Sequence, residues 1–229
     1  MKGRAVLVAA DRSWWTGRTI EFARFAREVR ADALMVLPPD WAQSCTVETL
    51  VEHYRTIAEH MPVMMVSGVF MPRGVDGALQ IVKAVLEQVD GVVAIKDDFL
   101  GAFGHRMCLL AKGRVATFAG GQKENHLDLL PYGCDGYLST FITFKPSITH
   151  DYWKAVKKGD IAKATEIVRR YDIPFFDYVL KLPGSCDAGI HAAMELAGIM
   201  PRWRRPPYYD LSEEEMDKLK AFLKKLGVL

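Results

Sequence analysis

The amino-acid sequence predicts an α/β protein: six successive strand–helix units followed by a run of helices alone. Three observations carry this. Short runs of Val, Ile, Ala, Leu and Met recur between segments whose apolar residues follow helical spacing. The connections are a few residues long, giving a repeat of about 25–30 residues, the length of a βα unit. The strand-like runs stop near Thr140, beyond which the apolar segments all have helical period. Continuous rather than alternating apolar runs mark strands buried on both faces, as in parallel sheets.

In order, residues 5–10 form the first strand and 17–29 the first helix, where Ile20, Phe22, Ala23, Phe25 and Ala26 suit a face packed on a sheet. Residues 33–37 are the second strand, halted by Pro38 and Pro39, and 47–59 the second helix. The third pair is 63–69 and 75–89, the fourth 91–96 and 102–112. Residues 115–119 are the fifth strand, ended by Gly120 and Gly121, with a short helix over 125–130; 136–140 are the sixth strand. Helices over 151–157 and 161–171 flank Lys158, Gly159 and Asp160, a C-terminal glycine followed by an Asp N-cap. Two more span 174–180 and 188–197. The last opens on a capping box, Ser212 to Glu215, with Met216, Leu219, Phe222, Leu223 and Leu226 on one face. No linker or composition break marks a boundary. Residues 1–146 therefore read as the strand–helix units, and 147–229 as a helical appendage to the same body.

Of the 229 residues 50% are hydrophobic and 25% charged, enough apolar material for a real core. A net charge of +2 gives no electrostatic case for nucleic acid or an anionic membrane. The basic patch Arg202-Trp203-Arg204-Arg205 is short, runs into Pro206 and Pro207, and reads as structural or as an interface. Cys45, Cys108, Cys134 and Cys186 lie far apart with no CxxC spacing, which fits free thiols in a reducing compartment. His53, His60, His105, His150 and His191 form no i, i+4 pair and no HxH, so no metal site is expected. The opening residues 1–5 lead straight into a strand-like run rather than a signal-peptide core. No stretch approaches a membrane span, and a cytoplasmic protein is the expectation.

Lys96 carries the most chemistry. It closes the run Gly91-Val92-Val93-Ala94-Ile95, at the carboxyl end of a buried strand, where α/β proteins place their sites. A lysine partly shielded there can lose its proton and attack a carbonyl to form a Schiff base; the plain alternative is a solvated strand-end lysine. Asp97 and Asp98 follow at a helix start and read as capping residues. Met35, Met64 and Met65 read as core, and Trp14 and Trp15 either roof a pocket or pack between subunits. Six parallel strands permit an open doubly wound sheet or a barrel short of two strands. The first strand–helix turn has no glycine fingerprint, which speaks against the dinucleotide-binding sheet, and periodicity decides no further.

Several segments, in order, resemble the dihydrodipicolinate synthase/N-acetylneuraminate lyase family. Ala31-Asp32-Ala33-Leu34-Met35-Val36 is like the family's entry to its fourth strand, and Val93-Ala94-Ile95-Lys96-Asp97 is like its Schiff-base strand. Phe118-Ala119-Gly120-Gly121 resembles the turn after its seventh strand, and residues 132–139 resemble its eighth. Residues 192–198, then Arg205-Pro206-Pro207 and Leu211-Ser212, are similar to its C-terminal pattern. Each motif is weak alone; their order and spacing together are specific. The resemblance implies a TIM (β/α)8-type barrel, with six βα units in this chain corresponding to the family's strands three to eight, and the last barrel helix among residues 147–229. It implies a homo-oligomer, a dimer or tetramer, acting on a pyruvate-like 2-oxo acid without a cofactor.

Two departures accompany it. The family's first two strands have no counterpart in these residues, nor does the Gly-Thr-Thr-Gly-Glu loop that grips the keto acid's carboxylate. Either the reading begins late at Met1 or this is a six-stranded remnant, whose apolar sheet edges are expected to associate. At the family's proton-relaying tyrosine stands Val66, which transfers no proton; Ser67 points to the other face of a regular strand.

The expected site is thus Lys96 as Schiff-base nucleophile, with Arg73, Gly120, Gly121 and Ser139 binding substrate. Arg73 can fork onto a carboxylate as lysine cannot, or be a surface arginine in a turn. Gly120 and Gly121 let backbone amides approach a ligand, or simply make the turn. Ser139 and Thr140 end the last strand and could bond a ligand, or cap the next turn. His126 reads as a surface residue near a helix start. The functional expectation is a class I aldolase, lyase or dehydratase; the alternative is an inactive relative that binds a keto acid or a protein partner. Metal-dependent aldolase chemistry needs clustered carboxylates and histidines at strand ends, and the sequence offers none.

Overall fold

A computed structural model describes residues 4–12 and 14–229; residues 1–3 of the opening segment and Ser13 of the first strand–helix turn lie outside it. The six parallel strands are β1 (Val8–Ala10), β2 (Ala33–Val36), β3 (Val63–Val66), β4 (Val92–Asp97), β5 (Ala116–Ala119) and β6 (Gly136–Tyr137). They pair in chain order, β1-β2-β3-β4-β5-β6. That order settles the architecture. A doubly wound sheet reverses direction at a switch point, whereas here every crossover advances one strand the same way. Helices α1 (Thr16–Glu28), α2 (Val47–Ala58), α3 (Gly74–Gln88) and α4 (Gly101–Ala111) therefore succeed one another on one face, each packed on the next. This is the winding of a TIM barrel, with six strands curled as a partial barrel.

The helix-facing side chains of the sheet, Leu34, Val36, Val63, Met65, Ile95 and Ala119, are buried against Ala26, Leu50, Ile57, Ile81, Val85 and Phe103. Because strand side chains alternate, the register fixes what lines the other face. One row runs Ala10, Met35, Met64, Ala94, Ala116; the next runs Val66, Lys96, Phe118, Gly136.

The chain divides into two compact units, Met1–Gly120 with Asp128–Tyr137, and Gly121–Leu127 with Leu138–Leu229. Helix α5 (Lys123–Leu129) has its first residues in the second unit, which otherwise holds α6 (Pro146–Lys157), α7 (Ile161–Ile167), α8 (Ile173–Val179), α9 (Ser185–Leu196) and α10 (Glu213–Leu226). Gly159 takes φ 71° and Asp160 caps α7 by accepting the Lys163 N–H at 2.9 Å. Ser212 and Glu215 exchange the reciprocal bonds of a capping box, at 3.3 and 2.7 Å. The helix expected over 161–171 instead widens into a π turn, Val168–Asp172. Pro174 has no N–H for the carbonyl four residues back, and the wide turn absorbs its ring. No described helix is long and apolar enough to cross a membrane.

His53 on α2 shares a 2.9 Å hydrogen bond between its Nδ1 and Thr16 Oγ1, while its Nε2 is buried with no partner among the described residues. Burial pushes its pKa down to about 4 from 6.5. Between those values the unfolded chain binds a proton that the folded chain refuses, so stability falls as pH drops through this window. The loss from pH 7 to pH 4 should be about 3 kcal/mol. Denaturant titrations at both pH values should show this component in the native chain and not in His53→Gln.

Candidate active site

Strand β4 carries Lys96 to the carboxyl end of the sheet, beside Val66 on β3 and Phe118 on β5. Its side chain is 20% exposed, and its ammonium pairs with the Asp98 carboxylate. The next residue, Asp97, alternates to the helix face and is fully buried. Its carboxylate accepts the Ser67 hydroxyl at 2.5 Å and the Phe99 and Leu100 N–H groups at 2.9 and 3.2 Å. Burial raises the Asp97 pKa, against these three donors, which hold it down. Gly104 on α4 must be glycine, since a Cβ there would lie 2.5 Å from the Asp97 carboxylate.

Asp97 thus braces the approach to α4, as a capping reading expects, but Asp98 does not. The helix begins only at Gly101, after Leu100 turns to φ 64°. Asp98 is released from the helix and folds back onto Lys96. Its backbone N–H donates to Ser67 Oγ at 3.2 Å. Its side chain occupies a niche made by two glycines. A Cβ on Gly68 would lie 2.9 Å from Asp98 Cβ, and one on Gly120 would overlap the carboxylate. Ser67, on the outer side of the strand end, therefore fixes both aspartates.

The third strand stops at Val66 rather than 69, because the chain turns there into a 3-10 segment, Gly68–Arg73. That turn delivers Arg73 to Asp40. Arg73 Nε and Nη2 fork onto the carboxylate at 2.6 and 2.9 Å, and Nη2 also donates to the Cys45 carbonyl at 2.6 Å. The Arg73 hydrogen bonds hold the Asp40 carboxyl below its usual range. Arg73 does read a carboxylate, but in this structure it is one supplied by the chain.

Gly120 and Lys96 belong to the first unit, Gly121 and Ser139 to the second. Gly121 takes φ 52°, and its carbonyl accepts the Thr140 hydroxyl at 3.1 Å. Ser139 Oγ is hydrogen-bonded to Thr149 Oγ1 at 2.8 Å. Trp14 packs edge-on against Phe22 with centroids 5.3 Å apart, and Trp15 is exposed.

The second unit contains a polar cluster that sequence reading missed. Lys123 and Asp172 are both buried, with Nζ 2.7 Å from Oδ1 and the Lys123 N–H 2.5 Å from Oδ2. The ammonium also sits 4.3 Å from the centre of the Phe141 ring. Burial lowers the Lys123 pKa, and Asp172 opposes the shift. His126, expected on the surface, is fully buried, with Nδ1 2.9 Å from the Tyr152 hydroxyl. The partners lie 49 residues apart in one case and 26 in the other, so no local pattern signals them.

The sequence profile of the dihydrodipicolinate synthetase family matches residues 1–226. The chain is 27% identical to the 4-hydroxy-tetrahydrodipicolinate synthase of Corynebacterium diphtheriae, covering 98% of this chain and 73% of that protein. It is 25% identical to a Streptomyces coelicolor protein named as a 5-dehydro-4-deoxyglucarate dehydratase, covering 98% and 72%. Among solved structures it is similar to a protein from Pseudomonas aeruginosa described as a dihydrodipicolinate synthetase, at 26% identity and TM-score 0.83, covering 98% and 77%. YagE of Escherichia coli K12, crystallised with pyruvate, shares the fold at 22% identity and TM-score 0.81, covering 100% and 77%.

Proposed function

The chain belongs to the dihydrodipicolinate synthetase family, whose named relatives are lyase-type enzymes, and on that premise we propose that it acts on a pyruvate-like 2-oxo acid through an imine at Lys96. The observation that carries this reading is the position of Lys96: an amine, 20% exposed, at the carboxyl end of β4 and paired with an acid. In the amine form Lys96 attacks the 2-oxo carbon, and loss of water leaves an iminium. That cation withdraws electrons from the adjacent carbon, so a C–C or C–O bond there can break with its electron pair stabilised. Gly120 follows the end of β5, the strand paired with β4, and faces the substrate in this proposal, while Arg73 orders the Asp40 loop. Assembly into a dimer or tetramer belongs to the same proposal.

Incubation with pyruvate and a panel of 2-oxo acids, reduction with borohydride and peptide mass analysis test the reading directly. The expected result is a reduced adduct on Lys96, absent from Lys96→Ala. No adduct from folded protein with any 2-oxo acid would favour the second reading, a binding protein without turnover. Val66 supports that alternative: it lies directly beside Lys96 in register and can move no proton.

A further inference from the structure

An imine-forming lysine needs a partner that takes a proton from the ammonium and later gives one to the departing hydroxyl. The row of side chains beside Lys96 supplies none: Val66, Phe118 and Gly136 have no proton to exchange. Asp97, adjacent in sequence, points to the helix face and is occupied by Ser67, Phe99 and Leu100. Asp98 alone of this group is hydrogen-bonded to the Lys96 amine, and it is 36% exposed, within reach of an incoming molecule.

We propose that Asp98 is the proton-transfer residue of the Lys96 site, carrying the acid–base steps of imine formation. This rests on the lyase reading of Lys96. The geometry shows a built position rather than a passing surface pair. The Asp98 backbone N–H is anchored to Ser67 Oγ at 3.2 Å, and Ser67 is itself bonded to buried Asp97. The carboxylate lies where a side chain on Gly120 would overlap it, and its Cβ lies where one on Gly68 would come to 2.9 Å. Leu100 at φ 64° and Gly101 at φ 53° delay the helix, which leaves Asp98 free to turn back.

The chemistry closes on itself. The Asp98 carboxylate takes one proton from the Lys96 ammonium. The freed nitrogen lone pair forms a C–N bond to the 2-oxo carbon as the carbonyl π pair moves to oxygen, and a proton passes from nitrogen to that oxygen. Asp98 then protonates the hydroxyl, which leaves as water while the nitrogen lone pair forms the C=N+ bond. Ammonium and ketone become iminium and water, and Asp98 ends as the carboxylate it began as.

The test is the rate of borohydride-trappable adduct formation with pyruvate in a rapid-mixing, single-turnover format. The native chain is measured first. Asp98→Asn keeps the shape and loses the proton-carrying oxygen, and should form adduct about 100-fold more slowly or worse, with an unchanged thermal transition. Asp98→Ala should be comparably slow and should be accelerated by formate, which returns a carboxylate to the vacated space. Adduct formation in Asp98→Asn at the native rate overturns the assignment to Asp98 and leaves the lyase reading standing. A slow Asp98→Ala unmoved by formate, together with a slow Asp98→Glu, also overturns it, because Asp98 would then only position the lysine. No adduct in the native chain fails the lyase reading itself, before any variant is compared.

Discussion

Lys96→Arg is expected to lower turnover by about 10^4-fold or more, which is ~5 kcal/mol of transition-state stabilisation at ~1.4 kcal/mol per factor of ten. Arginine keeps a cation for Asp98 and much of the packing of the side chain, so the thermal transition should stay close to that of the native chain. What it removes is the proposed nucleophile: a guanidinium stays protonated and forms no imine. This separates chemistry from charge more cleanly than alanine does, because Lys96→Ala also strips Asp98 of its partner. The measurement is steady-state turnover of whichever 2-oxo acid gives the trapped adduct, with unfolding followed in parallel. Activity retained in a folded Lys96→Arg would move the chemistry to another residue.

Lys123→Met should cost about 3–5 kcal/mol of folding stability, the range for removing one partner of a buried ion pair. Both side chains are 1% exposed, so the Asp172 carboxylate left behind would keep the Lys123 backbone N–H and lose the ammonium. The cost is thus mainly an uncompensated buried charge, rather than the worth of the pair. It follows that Lys123→Met combined with Asp172→Leu should recover most of the loss, since apolar replacement of a whole buried pair is often neutral. Denaturant unfolding of the two single variants and the double variant gives the comparison. A single-variant cost below about 1 kcal/mol would mean that water reaches the pair readily.

The strand and helix runs are legible in the sequence because apolar period follows directly from which faces are buried. Their winding is not. A βα repeat has the same period in a doubly wound sheet and in a barrel, and only the pairing of β1 with β2 through to β6 separates them. Strand ends are also blurred. Val69 extends the apolar character of β3, yet the chain turns after Ser67 into the segment Gly68–Arg73. Lys96 is legible from the run that precedes it. Asp98 is not, because its role depends on Leu100 adopting a left-handed conformation that nothing in a leucine announces. Arg73 is conspicuous in its turn, but the Asp40 that holds it lies 33 residues earlier. The Lys123–Asp172 pair is silent for the same reason: contact between distant segments leaves no spacing to read.

The strand order has one more consequence, for which parts of the sheet breathe. Strands β1 and β6 each have a single strand neighbour among the described residues, and fraying of a sheet begins at such rims. Strand β4 lies between β3 and β5, neither of which is a rim. The backbone that presents Lys96 and Asp97 is therefore insulated from the sheet's most labile hydrogen bonds. Amide exchange can be rapid at Val8–Ala10 and Gly136–Tyr137 while Lys96 keeps its register.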